Sequence, residues 1–224
     1  MPSELRPLAK ALGLRRDGDL GDQPRWIGER DGVELVATGT GIGPARAAAA
    51  AERLLGSVEL DLLVVSGIAG GIAPTAVGDL VVPEHVVDGA TGERFTATPP
   101  AGVEVRGGIR TGDGDDYRLT AEDLARLWDE GIVAVDMETA AIARACQQHG
   151  VPWVAFRAIS DLAGDETVGE EVLGLVHPDG RPNVGAGLRF LLAHPHRIPR
   201  MVRLARESGQ AASTAARAAA VACR

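Results

Sequence analysis

Two near-continuous apolar runs, residues 60–66 and 151–159, constrain this chain more than any other feature. Such runs suit strands of a parallel sheet that helices cover on both faces. The first run leads into Gly67-Ile68-Ala69-Gly70-Gly71, which reads as a glycine turn. Further strands are expected at 25–28 and 33–38, joined around the hairpin-forming Asp31-Gly32, and at 80–87, 103–110 and 132–135. Helical patterns alternate with them. Residues 3–12 place Leu5, Leu8, Ala9 and Leu12 on one face, and a polar loop follows. Residues 45–55 are alanine-rich, with Pro44 in the first turn. Residues 120–130 open with Thr120 three residues before Asp123. Residues 137–149 have Asp136 as N-cap and Gly150 as stop. Residues 162–184 read as a long acidic loop, and 187–193 and 198–223 as helices. Strand–helix alternation predicts one α/β domain over 1–224 with a largely parallel sheet and a helical extension at about 198–224.

In such sheets the functional site lies beyond the carboxyl ends of the strands. That rule selects 39–44, 67–71, 136–139 and 160–164. Glycine turns that lead into helices present free backbone N–H groups to an anion or hydroxyl. Residues 39–44 do not continue as GxGxxG, because Ala45 and Arg46 follow, and no GK[ST] makes them a P-loop. Asp136 and Glu138 open a helix, where an acid is favoured by the dipole. Arg157 stands among apolar neighbours in its strand, and a buried guanidinium demands a carboxylate or an anionic ligand. Asp161 follows four residues later.

Composition narrows the partners. The 224 residues carry a net charge of −8, and aromatics make up 3%. Nucleic-acid binding calls for basic faces and stacking platforms, so no nucleic acid is expected. Lys10 is the single lysine, in a polar setting, which argues against Schiff-base chemistry. Cys146 and Cys223 form no CxxC and read as small buried or terminal residues of a reducing compartment. The five histidines have no metal-ligand spacing, and His194 and His196 flank Pro195 in a turn. No run reaches the roughly 20 apolar residues of a membrane span, and the first residues lack a signal core. A cytoplasmic protein without metal, cofactor or membrane partner is expected.

The motifs together carry a resemblance. Val135-Asp136-Met137-Glu138-Thr139-Ala140-Ala141 and Trp153-Val154-Ala155-Phe156-Arg157-Ala158-Ile159-Ser160-Asp161 resemble the nucleoside phosphorylase/nucleosidase superfamily. The methylthioadenosine/S-adenosylhomocysteine nucleosidases are the most similar members. Ser66-Gly67-Ile68-Ala69-Gly70-Gly71, Val77-Gly78-Asp79-Leu80-Val81 and Thr40-Gly41-Ile42-Gly43 match in the same order, so that the likeness spans about 1–165.

The resemblance implies a single-domain, three-layer phosphorylase/hydrolase-like fold with a central mixed, largely parallel sheet. It implies a homodimer and cleavage of an N-ribosidic bond in a purine-type nucleoside. By that resemblance Asp161 supplies or shares the proton at the purine N7, with Ser160 beside it. Glu138 binds ribose hydroxyls as cationic charge develops, and Met137 packs under the ring. Gly41, Ile68, Ala69 and Gly70 line the substrate. Glu4 matches the glutamate that activates water, with Arg157 holding the water or Glu4. The division between acid and carboxylate is the one glycoside hydrolysis uses.

Three departures stand beside these matches. The family's first strand lies within the sheet, and this sequence starts where that strand should end. Asp115 and Asp116 stand where an aromatic that meets the base is expected, with Tyr117 next to them. The last helix runs past the family's usual end.

Phosphorolysis is the alternative, with phosphate as acceptor. The arginine expected before the second glycine turn is replaced by Val65-Ser66, which leaves Arg46 or Arg157 as substitutes. Futalosine hydrolases and hopanoid-pathway enzymes share much of the motif set. A catalytically degenerate nucleoside-binding protein is the alternative from another class. A dinucleotide-dependent oxidoreductase would need an acid about 20 residues after the glycine turn, but Glu59 and Asp61, near that distance, precede a strand and the turn lacks the proper glycines.

Overall fold

The structure is a computed structural model. It describes residues 1–112, 119–164, 177, 183, 185, 189–190 and 193–223. The acidic stretch with Asp115, Asp116 and Tyr117, and most of the loop and helix expected at 162–184 and 187–193, lie outside the described residues. The chain opens with helix α1 (Pro2–Leu12), which buries Leu5, Ala9 and Leu12 as the amphipathic spacing predicts. Strands β1 (Arg15–Leu20), β2 (Gln23–Arg30) and β3 (Val33–Thr38) form an antiparallel three-stranded sheet. Strand β1 corrects the expected polar loop. Its Arg15 pairs with Ile27, and as an exposed edge strand it needs no apolar face. Between β2 and β3, Asp31 and Gly32 have φ of 53° and 82°, the left-handed pair a type I′ turn requires.

Helix α2 (Pro44–Leu55) follows, with Gly43 as N-cap. Strand β4 runs over Leu63–Gly71. The expected turn at 67–71 is therefore a continuation of the strand, and β10 (Trp153–Leu162) pairs with it from Trp153–Leu63 to Leu162–Gly71. The strand expected at 80–87 is two, β5 (Leu80–Val81) and β6 (His85–Asp88), because Pro83 between them cannot donate to a ladder. Strand β7 (Arg94–Thr96) carried no sequence signal, and β8 begins later than expected, at Gly108–Thr111. Thr120 caps helix α3 (Ala121–Asp129) in the reciprocal arrangement with Asp123 that its spacing predicts. Strand β9 (Ile132–Asp136) leads into α4 (Thr139–His149). The last helix, α5 (Ile198–Ala222), buries Ala211, Ala212, Ala215, Ala216, Ala219 and Ala220. That alanine stripe lets the helix lie close on β4 and β10.

Among the described residues the main sheet has seven strands, in the order β5-β10-β4-β9-β8-β6-β7. Its long ladders, β4–β10, β6–β8 and β8–β9, are parallel, and the antiparallel ones are short. Helices α2 and α4 pack together, while α5 lies on β4 and β10 and α1 packs on α5. Among the described residues strand β4 pairs with β9 only at Gly70 and Gly71, and most of its edge on that side has no strand beside it. Among the described residues no strand joins β3 to β4. The chain enters that region as α1, where the resemblance leads one to expect a sheet strand. Cys146 is buried and Cys223 half-buried, both unpaired, and burial pushes the Cys146 thiol up to about 12. Among the described residues no helix is long and apolar enough to cross a membrane.

Candidate active site

A cleft of about 1520 Å³ runs between the two sheets along β3 and β4 and reaches the carboxyl ends of β4, β9 and β10. The consecutive residues 32–42 and 59–66 line it. Side chains alternate across a strand, so a cavity touched by every residue runs along strand edges. The expected site residues meet here. Glu4, Glu138, Arg157 and Asp161 line the cleft, and so do Met137 and Ser160. Gly41, Ile68, Ala69 and Gly70 bring backbone to the same wall.

Arg157, 3% exposed, is the centre of the charged groups. The carboxylate that meets it comes from another strand. Asp136 ends β9 and stands 2.7 Å from Nη2 of Arg157, with Glu138 at 3.6 Å. The guanidinium also donates from Nε and Nη2 to the Thr139 hydroxyl, at 3.2 and 2.9 Å, and from Nη1 to the Ile68 carbonyl at 3.4 Å. Asp136 is thus more than the expected helix cap. The N-cap position belongs to Glu138, but an oxygen of Asp136 accepts the N–H of Glu138 and of Thr139, at 3.4 and 3.3 Å. Asp136 accepts further hydrogen bonds from the hydroxyls of Thr139 and, at 2.6 Å, Thr111. Spacing along the chain does not reveal Thr111, because it comes from β8.

Glu138 accepts a hydrogen bond from the Gly43 N–H at 3.1 Å. The amide of the first glycine turn therefore serves the protein's own carboxylate. Burial pushes Glu138 up to about 7; Asp136 and Glu4 add to the rise, and Arg157 and the Gly43 N–H oppose it. Glu4, in the first turn of α1, accepts from the Ile68 N–H at 2.9 Å and from the Met1 amino group at 2.5 Å. Burial raises its proton affinity too. The positive Met1 amino group, Arg157 and those two hydrogen bonds outweigh it, so Glu4 is held below the usual carboxylate range. Burial disfavours the charged form of Arg157, but Asp136, Glu138 and Glu4 overcome that and raise its pKa.

At the end of β10 the register shifts between Ile159, opposite Ala69, and Asp161, opposite Gly70. This bulge resets the alternation of the strand, and the neighbours Ser160 and Asp161 both line the cleft. The Ser160 hydroxyl donates to the Asp161 carboxylate. Arg46, one of two arginines considered for an anion, instead pairs with exposed Asp22 at 2.8 Å. Among the described residues no cluster of histidine, cysteine or carboxylate groups could hold a metal.

Gly67 explains how Glu4 and Arg157 lie so close to β4. A Cβ there would stand 2.5 Å from Oε1 of Glu4 and would collide with Nη1 of Arg157. Gly67→Ala should destabilise the fold by about 1–3 kcal/mol through overpacking. Displaced charged groups should also cost about 10²-fold in turnover. Urea unfolding and a rate measurement check both; a variant unchanged in each would show that the close approach is not needed.

The Phosphorylase superfamily profile matches residues 1–111 and 90–181. A 5'-methylthioadenosine/S-adenosylhomocysteine nucleosidase of Anoxybacillus flavithermus is 31% identical over 196 residues, covering 75% of this chain and 84% of that protein. Among solved structures, the same kind of nucleosidase from Neisseria meningitidis, in complex with methylthio-immucillin-A, superposes with a TM-score of 0.72 at 22% identity. It covers 100% of this chain and 94% of the other. The futalosine hydrolase of Helicobacter pylori gives a TM-score of 0.72 at 19% identity, over 99% and 94% of the two chains. At these identities the structural likeness speaks for the fold.

Proposed function

The chain belongs to the phosphorylase superfamily, and on that premise we propose that it is a nucleosidase that hydrolyses the N-ribosidic bond of a purine nucleoside of the methylthioadenosine/S-adenosylhomocysteine kind. One observation carries the reading: Glu4 from α1, Arg157 and Asp161 from β10, and Glu138 at the start of α4 line one cleft. A fold kept only for binding has no need of that combination.

In this reading Asp161 shares its proton with N7 of the departing base, oriented by the Ser160 hydroxyl. Glu138 accepts ribose hydroxyls and faces the positive charge that builds on the sugar. Met137 packs beneath the ring, and backbone at Gly41, Ile68, Ala69 and Gly70 shapes the wall around the substrate. Glu4 is ionised at neutral pH and accepts the proton of the attacking water, with Arg157 fixing the carboxylate that does so. No cofactor takes part.

Water is favoured over phosphate by where the arginines go. Arg157 is engaged by Asp136 and Glu138, and Arg46 by Asp22. Three carboxylates around the nucleophile's side of the cleft would repel a phosphate dianion. Purine nucleosides with varied 5′ substituents, assayed with and without phosphate, test this. Free base and free sugar should form at a rate independent of phosphate. A sugar 1-phosphate formed only when phosphate is added would overturn the hydrolytic reading. We take the chain as one domain and its working form as a homodimer. Half-exposed Val77, Leu80 and Leu162, on the short β5 edge of the sheet beside the cleft, support a partner there.

A further inference from the structure

We infer that Asp136 is a positioning residue for the reaction: by competing with Glu138 for the Arg157 guanidinium it weakens the hold of that charge on Glu138, and so sets when the ribose-binding carboxylate ionises. The inference rests on the nucleosidase reading for its kinetic consequence, but not for its geometry.

Asp136 is held by many hydrogen bonds in the cleft wall, and its side chain is 1% exposed. It gathers hydroxyls from β8 and α4, two backbone N–H groups at the start of α4, and Nη2 of Arg157. The contacts to α4 fix the turn on which Glu138 stands. The contact to β10 fixes the guanidinium. At 2.7 Å from Asp136 against 3.6 Å from Glu138, Arg157 pairs with both and lies nearer the former. Arginine placed against Glu138 itself would lock that carboxylate in its charged form. The groups that face Glu138 are Arg157 from β10, Asp136 from β9, Glu4 from α1 and the Gly43 N–H at the start of α2. Glu138 titrates near neutrality in this setting, at about 7. Asp136 is one of the charges that hold it there, directly as a negative neighbour and by standing nearer to Arg157 than Glu138 does.

Asp136→Asn keeps the shape and one acceptor oxygen but removes the charge. Two changes then act in the same direction. A negative neighbour of Glu138 is lost, and Arg157 is released towards it. The acid limb of kcat/KM, which reports the free enzyme, should move to lower pH by roughly one unit. Asp136→Glu keeps the charge and should restore the limb towards its original position. A residue that only caps α4 would alter stability and leave the limb where it was.

The readout that does not depend on activity is the ¹³C chemical shift of the Glu138 carboxyl, titrated in the free protein. It should show the same downward move in Asp136→Asn. If the protein has no nucleosidase activity but this titration moves, the functional reading fails and the inference stands. If the titration is unmoved or rises, the inference is overturned whatever the activity. Should Asp136→Asn not fold, Thr139→Val removes the hydroxyl that links Asp136 to Arg157. It should lower the titration by a smaller amount, and no change there would equally overturn the inference.

Discussion

Asp161→Asn should lower kcat by about 10²–10⁴-fold while substrate still binds. The amide keeps the outline of the side chain and can still meet the Ser160 hydroxyl, so the site is not expected to collapse. What it cannot do is carry a proton to the leaving base. A purine leaves as a neutral molecule only if N7 is protonated or strongly hydrogen-bonded as the bond to the sugar breaks. The loss should therefore appear in kcat, with KM changed little, because an interaction made mainly in the transition state is removed. Steady-state kinetics on the variant, with binding measured separately by calorimetry, decide the matter. A variant that turns over near the parent rate would show that the base leaves by another route and that Asp161 is a structural acid at a strand end.

Arg157→Leu should cost about 3–5 kcal/mol of folding stability, the range for removing one member of a buried ion pair. Leucine fills part of the space, but Asp136 and Glu138 are left facing each other with no cation between them. Against a total stability of about 5–15 kcal/mol, that loss is a large fraction. The penalty should also depend on pH. Glu138 has a folded-state pKa raised above that of a free carboxyl, to about 7. Its contribution is thus most favourable at low pH and is lost as pH rises through that value. Without Arg157 the charged form becomes still less favourable, so the penalty should be larger at pH 8 than at pH 5. Urea midpoints at the two pH values measure it. A penalty below about 1 kcal/mol, or one independent of pH, would mean that the carboxylates find other partners.

Local signals were enough for many elements. Thr120 with Asp123, Pro44 after Gly43, and Asp31-Gly32 each specify a helix start or turn by contacts within a few residues. The apolar runs marked β4 and β10 because a strand covered on both faces has no polar side. The stretches that misled are those in which distant partners decide. Residues 67–71 look like a turn because glycine frees the backbone. In the folded chain the same lack of a side chain lets Arg157 and Glu4 press against a straight strand. Strand β1 has no inward apolar pattern, so the hydrogen bonds of a neighbouring strand define it; in β7 the one buried residue, Phe95, is too short a pattern to mark a strand.

For the site, the sequence by itself determined which residues carry chemistry. An arginine inside an apolar strand must be paired, and acids at strand ends face a cleft in this kind of sheet. It could not say who pairs with whom. The partner of Arg157 is Asp136, 21 positions earlier, and Asp136 is in turn held by Thr111 from β8. The bulge that turns both Ser160 and Asp161 towards the cleft depends on the register between β10 and β4. Residue type and local spacing are properties of the chain. Pairing, register and the electric field at a buried carboxyl arise only when strands far apart in sequence lie side by side, and that is what the tertiary structure decided.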